Sequence, residues 1–197
     1  EIFDVVERVL AGEVGPAVAD SLVAHGVNAV ALSGRTAGTL VAQPLTSLVD
    51  GTAADLGLVG VVTSVNTDAI FEMVTSKKVP VISPIASDAS GALGFNVNAD
   101  LAAAAIAGAL DAQWLIIMTD VEGIYRNWPD KSSLISTISA PELEALKATF
   151  AEGMAPKVQA CLDAIAAGAK AVRIIDGTNP SALKSALMGE GGTLVVA

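Results

Sequence analysis

The amino-acid sequence predicts an α/β chain, a three-layer αβα sandwich with a mostly parallel central sheet, from three observations. Short β-branched runs that are apolar on both faces recur along it, "NAVALSG", "GLVGVV", "VPVISPI" and "WLIIMTD", as strands covered by helices on both sides do. Stretches with helical periodicity and helix start and stop signals separate these runs. The 197 residues, 52% of them hydrophobic, suffice for a sizeable core, since ~100–200 residues is the usual size of one domain.

Each element follows in order. Ile2, Val5, Val6, Val9 and Leu10 repeat at helical spacing and predict an opening helix that stops near Gly12. Because the chain opens inside this pattern, no secretory leader is expected, and a start without methionine reads as a fragment. A second helix runs from about Pro16 to His25, with Gly26 as its C-terminal glycine. After two strands, Asn66 marks the start of a helix over 66–76, followed by "VPVISPI". "GFNVNADLAAAAIAGAL", 94–110, is a strand-like run followed by an alanine-rich helix, and "WLIIMTD", 114–120, is the clearest buried strand. "SAPE", 139–142, forms a capping box that opens a helix through Phe150. "KVQACLDAIAAGAKAVRIIDG" reads as helix, Gly168 and strand, Asn179 and Pro180 open a further helix, and "TLVVA" closes as a strand.

Composition excludes several functions. Eleven Lys+Arg against 21 Asp+Glu give a net charge of -10, which repels a phosphate backbone and leaves no basic stripe, so nucleic acid is not an expected partner. Cys161 and His25 are single, so no internal disulfide and no Cys/His zinc site is possible; no metal ligands are assigned, and a reducing cytoplasm fits. The apolar stretch 101–119 is interrupted by Asp111 and Gln113, so no membrane span is expected. G-x-x-x-x-G-K-[ST], G-x-G-x-x-G and H-E-x-x-H are all missing, and "LSGRTAG", 32–38, matches no phosphate-loop pattern.

In α/β folds ligands collect where strands turn into helix N-termini, which makes 33–38, 83–91, 94–100, 119–130 and 153–157 the candidate loops. Asn96, Asn98 and Asp100 crowd one of them. One cap for the alanine-rich helix needs only one of the three, and the others read either as solvated turn residues or as ligands at a helix end that attracts anions. Lys157 stands in the first turn of a helix, where the dipole disfavours a cation; it is either a solvated lysine or the partner of something negative. "TDVEGIY", 119–125, is an ordinary strand-to-helix turn or a binding loop, and Tyr125 and Trp128 pack under their own loop or stack on an adenine.

"DLGLVGVVTSVN", "FNVNAD", "MTDVEGIY" and "EGMAPKVQA", in this order and at these separations, resemble the amino-acid kinase superfamily and, within it, the N-acetylglutamate kinases; "TDVEGIYRNWPD" is similar to the actinobacterial branch. The resemblance covers essentially all 197 residues as a single domain, about 1–100 on the substrate side and about 101–197 on the ATP side. It implies the amino-acid kinase fold and ATP-dependent phosphorylation of the side-chain carboxylate of N-acetyl-L-glutamate in arginine biosynthesis, with Mg²⁺ bridging the phosphates, in a cytoplasmic enzyme. By motif position it assigns Asn96, with Asn98, to the substrate, Asp100 to orienting the catalytic lysines, and Lys157 to the transferring phosphoryl group. Thr119, Asp120, Gly123, Tyr125, Gly153 and Met154 fall to the nucleotide.

The family's first strands, with their lysine, glycine-rich turn and substrate arginine, have no counterpart in this chain, which implies that the N-terminal portion is lacking. Edges and apolar surface left uncovered in this way would favour self-association into a homo-oligomer. At "LSGRTAG" the family more often has an acidic residue and a second glycine where Thr36 and Ala37 stand. Two alternatives stay open: a sister kinase acting on acetylaminoadipate, and a non-catalytic nucleotide-binding or interaction module.

Overall fold

The computed structural model describes residues 2–47, 51–150 and 153–197. The chain divides into two compact units, Glu1–Ala102 and Ala103–Ala197. Among the described residues five of the eight strand pairings are parallel, and they fall into three hydrogen-bonded groups, so the α/β class and the parallel-rich pairing are those the sequence predicts.

In the first unit α1 (Ile2–Glu7) does not stop near Gly12. A π-helical stretch, Arg8–Val14, carries the helix on into α2 (Gly15–Ala24). The cause is Pro16, which has no N–H for the α-helical ladder. The extra residue of a π turn lets the chain reach Pro16 with its bonds made, and the Gly15 amide bonds back to Leu10 O. That same carbonyl accepts the Ser83 hydroxyl at 2.8 Å.

β1 (Ala29–Ser33) pairs in parallel with β4 (Val79–Ser83), with α2 packed against both. β2 (Leu40–Pro44), β3 (Val59–Val65), β5 (Ile85–Ser87) and β6 (Gly94–Val97) close a small barrel. "VPVISPI" is therefore two strands, because Pro84 can donate no ladder bond and the chain passes from β4 into the barrel there. α3 (Asp68–Thr75) begins two residues after Asn66, whose Oδ1 accepts from the Asp68 amide at 3.1 Å.

A four-strand barrel encloses little volume. Phe95 lies inside it, sharing its face with Ala86 across the β5–β6 pair, and Gly60 leaves room for the Phe95 ring, since a Cβ there would stand 2.7 Å from Phe95 Cβ. α4 (Ala99–Ala109) follows β6, and the division between the units falls within its residues.

In the second unit β7 (Leu115–Thr119) pairs in parallel with β9 (Ala171–Asp176), β9 antiparallel with β10 (Thr193–Val196), and β10 in parallel with β8 (Thr137–Ser139). α5 (Ala140–Leu146) starts with the predicted capping box, Ser139 and Glu142 each accepting from the other's backbone amide. It ends four residues before Phe150, the remainder being one 3₁₀ turn at Lys147–Thr149. α6 (Ala155–Ala166) buries Val158, Cys161 and Ala164 and packs against β9. α7 (Ala182–Leu187) begins after Pro180, because Asn179 Oδ1 bonds the Ser181 amide and hydroxyl and closes a turn ahead of the helix. Among the described residues no helix is long and apolar enough to cross a membrane.

Gly60→Ala should destabilise the first unit by about 1–3 kcal/mol, the usual result of overpacking. A urea denaturation midpoint equal to that of the parent chain would show that the barrel has slack at this position.

Candidate functional site

The second unit has a cavity where parallel strand ends predict one. Register between β7 and β9 runs from Leu115↔Val172 to Thr119↔Asp176, so both strands end at one level. Beyond β7, Thr119 Oγ1 donates to Asp120 Oδ1 at 3.1 Å. Beyond β9, Asp176 Oδ1 accepts from the Thr178 hydroxyl at 2.6 Å and its amide at 2.8 Å. These bonds, the hydroxyl first, hold the Asp176 carboxyl below the usual carboxylate range.

The loop after Asp120 is tied down at several points. Tyr125 forms a bridge with Leu134, and its hydroxyl donates to Glu122 Oε2 at 2.7 Å. Its ring meets that of Trp128 edge-on, with centroids 5.2 Å apart. The Arg126 and Asn127 amides bond Ser133 O and Oγ at 2.9 and 3.0 Å. Asp130 accepts from the Ser132 hydroxyl and amide at 2.6 and 2.9 Å, which lowers its pKa and caps the 3₁₀ turn that follows.

This loop, the chain at 149–150 and the start of α6 enclose about 710 Å³, within the roughly 300–1,000 Å³ of small-molecule sites. Thr119, Asp120, Tyr125, Gly153, Met154 and Lys157 all line it. Gly123 does not: it is buried, and a Cβ on it would stand 2.5 Å from Thr193 Oγ1, so it serves close packing. Arg126 and Asn127, inside the 119–130 candidate loop, also line the cavity, as do Thr149 and Phe150, which had no signal in the sequence. Of the two aromatic rings, Tyr125 is buried against its neighbours and Trp128 is 61% exposed. Lys157 and Arg126 supply positive charge and Asp120 negative. Among the described residues no three His, Cys, Asp or Glu side chains are grouped to hold a metal ion. Among the described residues Asp120 is the one carboxylate in the cavity lining, and a single carboxylate fits the oxygen-rich, mostly non-protein coordination of a nucleotide-bound Mg²⁺.

The other assigned residues lie at the end of β6, in the first unit. Asn98 is the cap: its Oδ1 accepts from the amides of Asp100 and Leu101 at 3.0 and 3.1 Å. Asn96, half-buried on β6, is held by its backbone through register with Val59 and Ile85 and an amide bond to Leu58 O at 2.9 Å. Asp100 stands half-buried in the first turn of α4. In the loop after β1, Arg35 Nη1 binds Glu7 Oε1 at 2.9 Å and Nη2 reaches Gly91 O at 3.3 Å. These residues, with Ser33, Ser87 and Asp88, line a cavity of about 590 Å³ that leaves out Asn96, Asn98 and Asp100.

The model of the amino acid kinase family matches residues 1–176. The acetylglutamate kinase of Saccharopolyspora erythraea is 48% identical over 177 residues, 90% of this chain and 58% of that protein. That of Nocardia farcinica is 47% identical over 197 residues, 99% of this chain and 65% of that protein. The chain thus spans about three fifths of the length of these curated relatives. Among solved structures, N-acetylglutamate synthase from Neisseria gonorrhoeae complexed with coenzyme A and L-arginine aligns with a TM-score of 0.72 and 26% identity, over 86% of this chain and 38% of that one. Carbamate kinase from Giardia lamblia bound to AMP-PNP shares the fold, with a TM-score of 0.68 and 19% identity over 94% of this chain and 70% of that one.

Tyr125, the single tyrosine, gives the cavity wall a spectroscopic handle. Its burial, the hydrogen bond to Glu122 and the Glu122 charge push its pKa from 10.0 up to about 12. With the folded pKa above the unfolded one, the stability it contributes is complete below pH 10.0 and is lost as the pH rises towards about 12. Absorbance titration of the phenolate should show that high midpoint, and Glu122→Gln should lower it. A native midpoint at the ordinary value would mean that Tyr125 is solvated.

Proposed function

Since the chain belongs to the amino acid kinase family, we propose that it acts as an acetylglutamate kinase, transferring the γ-phosphoryl group of ATP to the side-chain carboxylate of N-acetyl-L-glutamate. The observation that carries this reading is the assembly of Thr119, Asp120, Tyr125, Gly153, Met154 and Lys157 around one cavity, from stretches far apart in the chain. The names of the relatives at 47–48% identity support the acceptor.

A carboxylate is nucleophilic at neutral pH and needs no general base. The protein has to align two anions and screen their repulsion, which is positioning and electrostatics. Lys157 neutralises charge that grows on the phosphoryl oxygens, Thr119 and Asp120 orient the nucleotide, and Tyr125 with Trp128 offers it an aromatic wall. Asp120 would be the residue to hold a nucleotide-bound Mg²⁺, which would supply further charge neutralisation. Asn96 binds the acceptor, Asn98 fixes the start of α4, and Asp100 orders the charged groups of the transfer. The reaction belongs to arginine biosynthesis in the cytoplasm. Self-association is part of the reading, supported by the exposed Ile2, Val5, Val14 and Val18 on the N-terminal helical stretch.

Calorimetric titration with MgATP, followed by hydroxylamine trapping of acyl phosphate formed from N-acetyl-L-glutamate, tests the proposal; a chain that leaves MgATP unbound sinks it. Lys157→Ala should lower turnover roughly 100- to 1,000-fold, the scale of one lost transition-state contact, and change nucleotide affinity far less. Equal losses in rate and binding would instead make Lys157 a ground-state ligand. Asn96→Ala should raise the KM for the acceptor, and an unchanged KM removes Asn96 from its site.

A further inference from the structure

One side chain behind the cavity wall has an arrangement that its own strand does not require. Thr193 opens β10 and is fully buried. Its Oγ1 accepts from the Ile124 amide at 2.8 Å and donates to Ile135 O at 2.6 Å. The Ile135 amide returns a bond to Ile124 O at 2.8 Å. Neither partner of the hydroxyl belongs to a strand of the sheet; both lie in the stretch that begins with the cavity loop and runs to β8. Gly123 completes the joint, because only a residue without Cβ lets the loop come so near Thr193 Oγ1. On β9, beside β10, Arg173 is buried and holds the turn that precedes β10, donating to the carbonyls of Gly189 and Gly191 and lying over the Trp114 ring, 5.6 Å from its centroid.

We infer that Thr193 is a positioning residue of the nucleotide site, its hydroxyl fixing the Gly123–Tyr125 backbone and with it the Tyr125 wall of the cavity. The inference rests on the reading of the cavity as a nucleotide site. Ile124 is fully buried in a loop, so its amide has no water to turn to, and an unmade bond there is costly enough to move the loop. Tyr125, the next residue, lines the cavity and would move with it. Valine has the shape of threonine and the same preference for strands, so Thr193→Val removes the two hydrogen bonds and keeps the packing. Serine keeps the hydroxyl.

Backbone hydrogen exchange and MgATP calorimetry on the whole chain test this. Thr193→Val should raise exchange over residues 122–126 and leave β9 protected, because a local opening need not involve the rest of the sheet. It should weaken MgATP about tenfold, as one lost buried hydrogen bond can, and Thr193→Ser should restore both. Unchanged exchange at Ile124 with unchanged affinity overturns the inference, and so does an increase spread equally over β9, which would make Thr193 a general packing residue. If the parent chain leaves MgATP unbound, the nucleotide reading fails, and the exchange pattern still decides whether Thr193 holds the loop. Should Thr193→Val not fold, Gly123→Ala pushes the loop off the same hydroxyl from the other side. It should reproduce the local exchange and the weaker binding, and parent-like behaviour of that variant counts against the inference.

Discussion

Because β7 and β9 run in parallel and in register from Leu115↔Val172 to Thr119↔Asp176, every loop residue that follows them starts from one level, and the cavity of the second unit depends on that alignment. Shift the register by one residue and Thr119 turns to the other face of the sheet, taking Asp120 with it. The alignment is itself secured from behind. Val172, Ile174 and Ile175 are almost wholly buried, and α6, with Val158, Cys161 and Ala164 on its inner side, covers β9. The same packing sets the start of α6, and hence the positions of Met154 and Lys157. Site geometry and core packing are therefore one problem in this unit, and a core substitution that tilted α6 would act on the cavity from a distance.

The first unit solves a different packing problem. Its barrel has only four strands, so the interior admits one large ring, Phe95, and demands that facing positions be small. Gly60 and Ala42 meet that demand. Phe95 also precedes Asn96 on β6, so the ring that fills the barrel fixes the strand that carries Asn96. Asn98, two residues on, ends the strand by capping α4.

The elements legible in the sequence were those whose signals are local. The β7 run, the capping box at Ser139 and Glu142 and the C-terminal strand depend on residues adjacent in the chain, and the structure has each of them. β2 had no such signal: its pairing is set by partners 16 to 25 residues away on β3 and 46 residues away on β5. The expected stop at Gly12 failed because a π stretch accommodates Pro16, and tertiary packing against β1 and β4 outweighs one glycine. Among the six residues whose motifs point to nucleotide, five line the cavity, and Gly123 is the exception because a motif does not distinguish a glycine that faces a ligand from one that faces Thr193. Arg35 and Glu7 escaped notice for a similar reason, since an ion pair across 28 residues leaves no periodic trace.

Charge gives the cavity its chemical direction. The chain carries 11 Lys+Arg against 21 Asp+Glu, so its long-range field opposes an anionic ligand, and attraction has to come from cations at the site itself. Two of those cations, Arg126 and Lys157, line this cavity. Lys157 stands in the first turn of α6, where the helix dipole disfavours a cation by roughly a few tenths of a kcal/mol. The loop on the cavity's other side is stapled at Tyr125, Ser133 and Thr193, which keeps the pocket from collapsing. Arg126 and Lys157 together make the cavity favour an anionic ligand over a neutral one of the same size, against the charge of the chain as a whole.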